Sequence, residues 1–224
     1  MKYQYPKYTS EPELLQAVVG FSELKTEKIN KPFHHQKRVR VYPGTEIVKK
    51  YRNNNPRAVN KTYNEANAHI SLDKIGVNTP KLFGILHSNK ECSLFMQYIK
   101  YNPLTSLIIS SDSSLSQNLV SVGRELGKMF EYGFLHGDLT SYHILANNQI
   151  YIIDLETTKQ FRKDEFYKKL GKEWEKFIDS TQGSRWRILF SKEQEEMVFE
   201  GVRETLSNRK TREVLENIIL RNLK

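Results

Sequence analysis

Residues 136–145 read HGDLTSYHIL, and residues 152–156 read IIDLE. The two segments place two carboxylates, Asp138 and Asp154, beside short apolar runs that predict strands. In a phosphoryl-transfer site, one carboxylate orients the attacking hydroxyl and a second holds the metal that neutralises the phosphates. Asp138 fits the first role and Asp154 the second. A single Asp at the edge of a loop is more often a turn residue, so the inference depends on the pair.

The amino-acid sequences of these two segments resemble the catalytic loop and the metal motif of the protein-kinase-like superfamily. Gly137 follows the His, and Thr140 stands where ordinary Ser/Thr kinases carry Lys, as in the KEOPS-complex kinase and the RIO kinases. The ending HIL at 143–145 is more similar to the lipopolysaccharide core sugar kinases, so both groups stay open. The resemblance implies one α+β, bilobal, protein-kinase-like domain. A small β-rich N-lobe would occupy residues 1–101, and a mostly helical C-lobe residues 102–224.

A kinase also needs a strand Lys on the nucleotide phosphates and a helix Glu that pairs with it. TEIVKKYR at residues 45–52 predicts a strand that leads into two lysines, and the resemblance assigns the phosphate role to Lys49. Lys50 points to the opposite face of such a strand and is the alternative. Residues 63–72 have apolar positions at helical spacing and carry Glu65. We expect Glu65 to pair with Lys49.

CSLFMQYI at residues 92–99 predicts a strand and resembles the hinge of kinases. The resemblance implies that Met96 lines the back of an adenine pocket. It also implies that the backbone of Gln97, Tyr98 and Ile99 contacts the adenine edge. A buried Met is usually core filling, so the nucleotide role of Met96 rests on the resemblance alone. The implied cofactors are ATP and Mg²⁺ or Mn²⁺.

Two features depart from the kinase pattern. No glycine lies within residues 31–39, where kinases place a Gly-rich phosphate loop, although His34, His35 and Lys37 could supply donors there. His143 stands where most kinases place an Asn that binds metal. Imidazole suits softer transition metals, which argues against a direct bond between His143 and magnesium. A weakly active or inactive kinase-like protein is therefore an alternative.

Two neighbours of the carboxylates have other expected roles. The resemblance implies that His136 is a structural hydrogen-bonding residue behind the catalytic loop and not a base. Glu156 replaces the Gly of the usual metal motif. It is either a further oxygen ligand, a group that supports the ligands, or a surface carboxylate.

Composition bounds the class of protein. A chain of 224 residues with 38% hydrophobic content can bury a sizeable core. Cys92 is the single cysteine, which excludes a disulfide or a cysteine metal cluster within the chain. No apolar run reaches the eighteen or so residues that cross a bilayer, and the first residues lack the apolar stretch of a signal peptide. We therefore expect no transmembrane segment and a cytoplasmic location.

The formal net charge of +9 is uneven, because residues 31–61 contain nine Lys or Arg and a single acid, Glu46. Such a basic N-lobe could attract ATP, nucleic acid, an anionic membrane surface or an acidic protein. A solvated basic face is an equally good interpretation.

Helical spacing predicts the remaining elements. We expect a helix at residues 10–19, a core helix at 115–130 beneath the catalytic loop, a polar helix at 163–179 and two helices within 192–223. Trp174 and Phe177 lie three apart, as core residues of the polar helix would. This helix follows Asp154 so closely that a long activation segment cannot fit.

The function that these features favour is ATP- and metal-dependent phosphotransfer, first to protein Ser or Thr hydroxyls and including autophosphorylation. Phosphorylation of a sugar or another small molecule is the alternative within enzymes. A pseudokinase binding module, whose basic surface docks an acidic or nucleic-acid partner, is the alternative outside them.

Overall fold

A computed structural model describes residues 2–4, 27–28, 39–41, 46–87, 89–100, 102–146, 149–182 and 186–222. The predicted helix at residues 10–19 and the candidate donors His34, His35 and Lys37 lie outside the described residues. The chain divides into two compact units, Met1–Ile70 with Pro80–Lys100, and Ser71–Thr79 with Tyr101–Lys224. The predicted α+β class, with antiparallel strands first and mostly helices after them, is confirmed. The lobe boundary at residue 101 stays a prediction.

The described strands of the first unit form an antiparallel sheet. Its described strands are β1 (Lys2–Gln4), β2 (Glu27–Lys28), β3 (Val39–Val41), β4 (Ile47–Asn53), β5 (Leu82–His87) and β6 (Glu91–Gln97). They lie side by side in the order β1-β5-β6-β4-β3-β2. Because successive side chains of a strand point to opposite faces, Val48 of β4 packs with Leu94 and Met96, whereas Ile47 packs with Phe95.

Helix α1 (Pro56–Lys74) follows β4. The side chain of Asn55 accepts a hydrogen bond from the backbone N–H of Ala58 at 2.9 Å, and Pro56 occupies the first helical position. Gly76, at φ +73°, follows the helix. The helix therefore begins several residues before the predicted start at 63, because the Asn-rich stretch before it is a cap and not a loop. Ala66 of α1 packs on the Val48 face of the sheet.

The second unit is mostly helical. Its described helices are α2 (Leu104–Ser110), α3 (Leu115–Glu131), α4 (Lys163–Ile178), α5 (Lys192–Thr205) and α6 (Arg209–Asn222). Its short strands are β7 (Asn102–Pro103), β8 (Phe134–Leu135), β9 (Ile144–Ala146), β10 (Ile150–Ile152), β11 (Lys159–Gln160), β12 (Asp179–Gln182) and β13 (Trp186–Leu189). The predicted core helix, the polar helix and the final helix pair are thus confirmed. In the described part of the chain, no helix is both long enough and apolar enough to span a bilayer.

Helix α3 is the core of the second unit and is followed closely by residues 136–138, which we call the HGD segment. Leu119, Val122, Leu126 and Met129 are fully buried on it. Its Gly123 lies against α5 so closely that a Cβ there would clash with the Val198 carbonyl. The two helices therefore approach through small residues. Trp174 and Phe177 of α4 are also fully buried, as predicted.

Candidate active site

A buried carboxylate with two cations lies in the first unit. The Nζ atom of Lys50 donates to Oε1 of Glu65 at 2.8 Å. A guanidinium nitrogen of Arg52 donates to the other oxygen, Oε2, also at 2.8 Å. The Glu65 side chain is 1% exposed, so both oxygens are taken by charged donors away from water. A carboxylate is tolerated at such burial because it is paired and hydrogen-bonded.

The expected ion pair between Lys49 and Glu65 is wrong, because Lys50 makes that contact. Lys49 instead meets Glu91, and its ammonium lies 5.9 Å from the Phe95 ring centroid. The pleat explains the difference, since neighbouring residues of β4 face opposite sides of the sheet. Helix α1, which carries Glu65, packs on the side that Val48 shares with Lys50. The alternative Lys is therefore the one that faces the helix carboxylate.

Arg52 was not predictable from the kinase motifs. It lies two residues after Lys50 and therefore on the same face of β4. Besides Glu65, its guanidinium donates to Oγ1 of Thr62 at 3.1 Å, and its side chain is 4% exposed. The planar guanidinium thus fixes the Glu65 carboxylate from the side opposite to Lys50. The signal in the sequence was this alternation, since a charged residue two positions after the strand Lys must share its surroundings.

The hinge-like segment is tied into the sheet by its own backbone. The N–H of Gln97 donates to the Lys81 carbonyl at 2.8 Å, and the N–H of Tyr98 donates to the Glu46 carbonyl at 2.7 Å. Met96 and Ile99 are both buried, and Met96 packs in the core with Val48. The adenine contacts expected for these residues stay a prediction. They would have to use groups other than the N–H groups of Gln97 and Tyr98.

In the second unit, the HGD segment is held by contacts to its backbone. Gly137, at φ +80°, donates its N–H to both carboxylate oxygens of Glu173, at 2.9 and 3.2 Å. A Cβ at Gly137 would lie 2.9 Å from the Thr157 carbonyl. The Thr157 hydroxyl donates to the His136 carbonyl at 2.8 Å. Burial raises the pKa of the Glu173 carboxyl.

His136 is a structural residue, as expected. Its Nε2 atom lies 2.9 Å from the Ile153 carbonyl, so Nε2 carries the proton. Its Nδ1 atom then accepts from the Asp138 N–H at 3.3 Å. The ring stacks on His143 with centroids 5.4 Å apart. Burial first, and then the charge of His143, lower the pKa of His136 to about 4.

This depressed pKa predicts a loss of stability in mild acid. Below the ordinary pKa of 6.5 the unfolded chain protonates His136, whereas the folded chain does so only near pH 4. Stability present above pH 6.5 is therefore lost as the pH falls toward 4, by about 3 kcal/mol in total. Urea unfolding at several pH values would measure it. His136→Gln should remove most of that pH dependence, and an unchanged slope would contradict the assignment.

Asp154 has two neighbouring side chains that could bind a metal with it, His143 and Glu156. The Nδ1 atom of His143 donates to the Asp138 carbonyl at 2.7 Å, which leaves Nε2 as an electron-pair donor. That Nε2 lies 3.7 Å from Oδ2 of Asp154. Carboxylate oxygens of Asp154 and Glu156 lie within 4.8 Å of each other. Asp154 also adopts a left-handed backbone conformation at φ +63°, which Asp tolerates better than most residues.

Asp138 forms an ion pair with a lysine of helix α4. The ammonium of Lys176, on α4, contacts Oδ1 of Asp138. Glu173, one turn earlier on the same helix, is the residue that holds Gly137. The sequence motifs contained no sign of Glu173 or Lys176, because both lie more than thirty residues from the HGD segment. From the sequence alone, charged residues within a polar helix are expected to lie on a solvated surface.

Comparison with protein families gives one clear match. The model of the RIO domain family matches residues 21–183, which is more than half of the chain. The match includes the Lys50 and Glu65 pair, the HGD segment and Asp154.

Curated relatives match over shorter stretches. A KEOPS complex subunit Bud32 of Pyrococcus abyssi is 32% identical over 96 residues, covering 42% of this chain and 43% of that protein. A probable bifunctional tRNA threonylcarbamoyladenosine biosynthesis protein of Methanosarcina mazei is 31% identical over 136 residues, covering 60% and 20%. Its counterpart in Methanococcus vannielii is 28% identical over 135 residues, covering 53% and 24%. The chain thus spans less than half the length of these relatives.

Proposed function

Since this chain belongs to the RIO domain family, we propose that it is an atypical kinase that transfers a phosphoryl group from ATP to a hydroxyl group. The observation that carries the proposal is the placement of Asp138 and Asp154 around His143. The ring of His143 donates to the Asp138 carbonyl and lies beside the Asp154 carboxylate. The base candidate and the metal candidate therefore lie next to the same imidazole ring, and are not two unrelated loop carboxylates.

The donor set fits a divalent cation. Asp154 and Glu156 offer oxygens, which Mg²⁺ and Mn²⁺ accept, and Nε2 of His143 adds a nitrogen beside them. These three residues would hold the ion. When bound, the ion supplies positive charge for the phosphate oxygens.

The reaction assigns a step to each side chain. Asp138 accepts the proton of the acceptor hydroxyl as the hydroxyl oxygen forms a bond to the γ-phosphorus of ATP. The bond between that phosphorus and the ADP oxygen breaks. Lys50 binds the phosphates, with Glu65 holding its ammonium in position and Arg52 holding the Glu65 carboxylate. We infer from this geometry that Lys50, and not Lys49, has the phosphate role.

The acceptor that we propose is a Ser or Thr hydroxyl, including those of the chain itself. The purified protein would be incubated with ATP and Mg²⁺ or Mn²⁺, and its phosphorylated residues mapped by mass spectrometry. Phosphate on Ser or Thr in the native chain, and not in Asp154→Ala, supports the proposal. Phosphate transfer to free sugars without transfer to protein would favour the sugar kinase instead. Nucleotide binding without any transfer or hydrolysis would favour the pseudokinase.

The nitrogen ligand predicts a metal preference. Because imidazole suits transition metals better than magnesium, the native chain is expected to bind Mn²⁺ more tightly than Mg²⁺. His143→Asn replaces the nitrogen with an amide oxygen and should weaken Mn²⁺ binding about tenfold, an effect typical of altered metal ligation. Electron paramagnetic resonance of free Mn²⁺ measures this without any turnover. Tyr151→Phe, which removes the hydroxyl of a half-buried side chain three residues before Asp154, is the control. Equal Mn²⁺ affinity in the native and His143→Asn chains would remove His143 from the site.

The names of the relatives support a second proposal, about partners. They refer to tRNA threonylcarbamoyladenosine biosynthesis and to the KEOPS complex. We propose that this chain also binds tRNA, and that the basic segment at residues 31–61 attracts the phosphate backbone. Filter binding would compare tRNA with an unstructured RNA of equal length at two salt concentrations. Preference for tRNA at the higher salt supports the proposal, and equal binding contradicts it.

A further inference from the structure

Helix α4 carries an acidic residue, Glu173, and a basic residue, Lys176, one turn apart, and both contact the HGD segment. Glu173 accepts the Gly137 N–H with both oxygens and is 6% exposed. Lys176 lies three residues further along the same helix face, and its ammonium contacts the Asp138 carboxylate. The buried Glu173 contact fixes α4 on the backbone beside Asp138. The fold therefore brings the backbone of Lys176 near Asp138, and its half-exposed side chain completes the contact.

The segment that carries Asp138 has histidines but no side chain that is positively charged at all ordinary pH values. Residues 136–145 contain neither Lys nor Arg. Thr140, which stands where ordinary Ser/Thr kinases carry Lys, is buried, and its hydroxyl lies 3.3 Å from Nδ1 of His143. It can supply no charge to a phosphoryl group beside Asp138. Within the part of the chain that the structure describes, Lys176 is the cation that contacts this carboxylate from outside the segment.

The remaining donors of Lys176 suit a phosphoryl group. An ammonium has three N–H donors, and Asp138 uses one of them. The Lys176 side chain is 44% exposed, so the others are open to a ligand. A fixed cation stabilises the charge that a phosphoryl group carries during transfer. We propose that Lys176 is a further catalytic residue, which holds the Asp138 carboxylate and then donates to the transferring phosphoryl group. This inference rests on the proposed kinase activity.

The test separates binding of the ground state from binding of the transferring group. ADP with Mg²⁺ represents the first, and ADP with Mg²⁺ and aluminium fluoride, a planar phosphoryl mimic, represents the second. Calorimetry would compare the native chain with Lys176→Met and Lys176→Arg. Lys172→Met, which removes an exposed ammonium one turn earlier on α4, is the matched control. Lys176→Met should bind ADP as the native chain does, yet bind the fluoride complex about thirtyfold more weakly.

Turnover provides the second readout. Lys176→Met should lower kcat for phosphate transfer about thirtyfold, with KM for ATP within about twofold, and Lys176→Arg should restore part of kcat. If the native chain transfers phosphate and Lys176→Met behaves as Lys172→Met does, the inference is wrong and the kinase proposal stands. Equal weakening of ADP and of the fluoride complex would also overturn it, as would a rise in kcat. An inert native chain that binds no nucleotide would overturn the kinase proposal and this inference with it.

Discussion

Lys50→Met is expected to lower phosphate transfer from ATP about a hundredfold or more, because it removes the cation that we propose binds the phosphates. Lys49→Met, a change of the same size at the next residue, is expected to stay within about fivefold of the native rate. Lys49 contacts Glu91 on the other face of β4, and a partly exposed pair of this kind contributes little. Initial rates with labelled ATP at saturating acceptor would measure both variants.

The pair of variants distinguishes two assignments that the kinase motif alone leaves open. Thermal unfolding must show that both variants are folded, since Lys50→Met leaves the buried Glu65 with one cationic partner instead of two. Glu65→Gln should resemble Lys50→Met in rate. If Lys49→Met loses activity and Lys50→Met retains it, the assignment of Lys50 is wrong and the motif-based choice of Lys49 is right.

Asp138→Asn is expected to lower kcat about a thousandfold, because a carboxamide has nearly the shape of the carboxylate but cannot accept the proton of the acceptor hydroxyl. ATP affinity should change little, since the proposed role of Asp138 is toward the acceptor. Single-turnover transfer and nucleotide binding would be measured on the same preparation. Asp112→Asn, which changes an exposed carboxylate in a turn, is a suitable control. A rate within tenfold of the native rate would show that Asp138 is not the base.

The features that the sequence predicted well are those carried by local patterns. The sequences of the HGD segment and of residues 152–156 are specific enough to imply the family. The RIO domain match agrees with that resemblance. Apolar spacing located α3, α4 and the final helix pair, because each buries one continuous face. The start of α1 was predicted too late, because Asn55 is a helix cap in a stretch whose composition suggests a loop.

The features that the sequence could not supply depend on which side a residue faces or on distant packing. Lys49 and Lys50 are adjacent, and an alignment error of one position exchanges their faces. The choice between them depends on the side of the sheet on which α1 packs. Lys176 contacts Asp138 because α4 packs beside the HGD segment, where Glu173 binds the N–H of Gly137, a residue 36 positions away. The spacing of apolar residues along the sequence cannot predict such a contact.

The most direct test of the account is transfer of labelled phosphate from ATP to the protein itself and to a generic acceptor, for the native chain beside Asp138→Asn and Asp154→Ala. All three chains must first be shown to fold. The account predicts metal-dependent transfer by the native chain that both substitutions abolish. Absence of transfer and of ATP hydrolysis by the native chain, together with undetectable nucleotide binding, would contradict it.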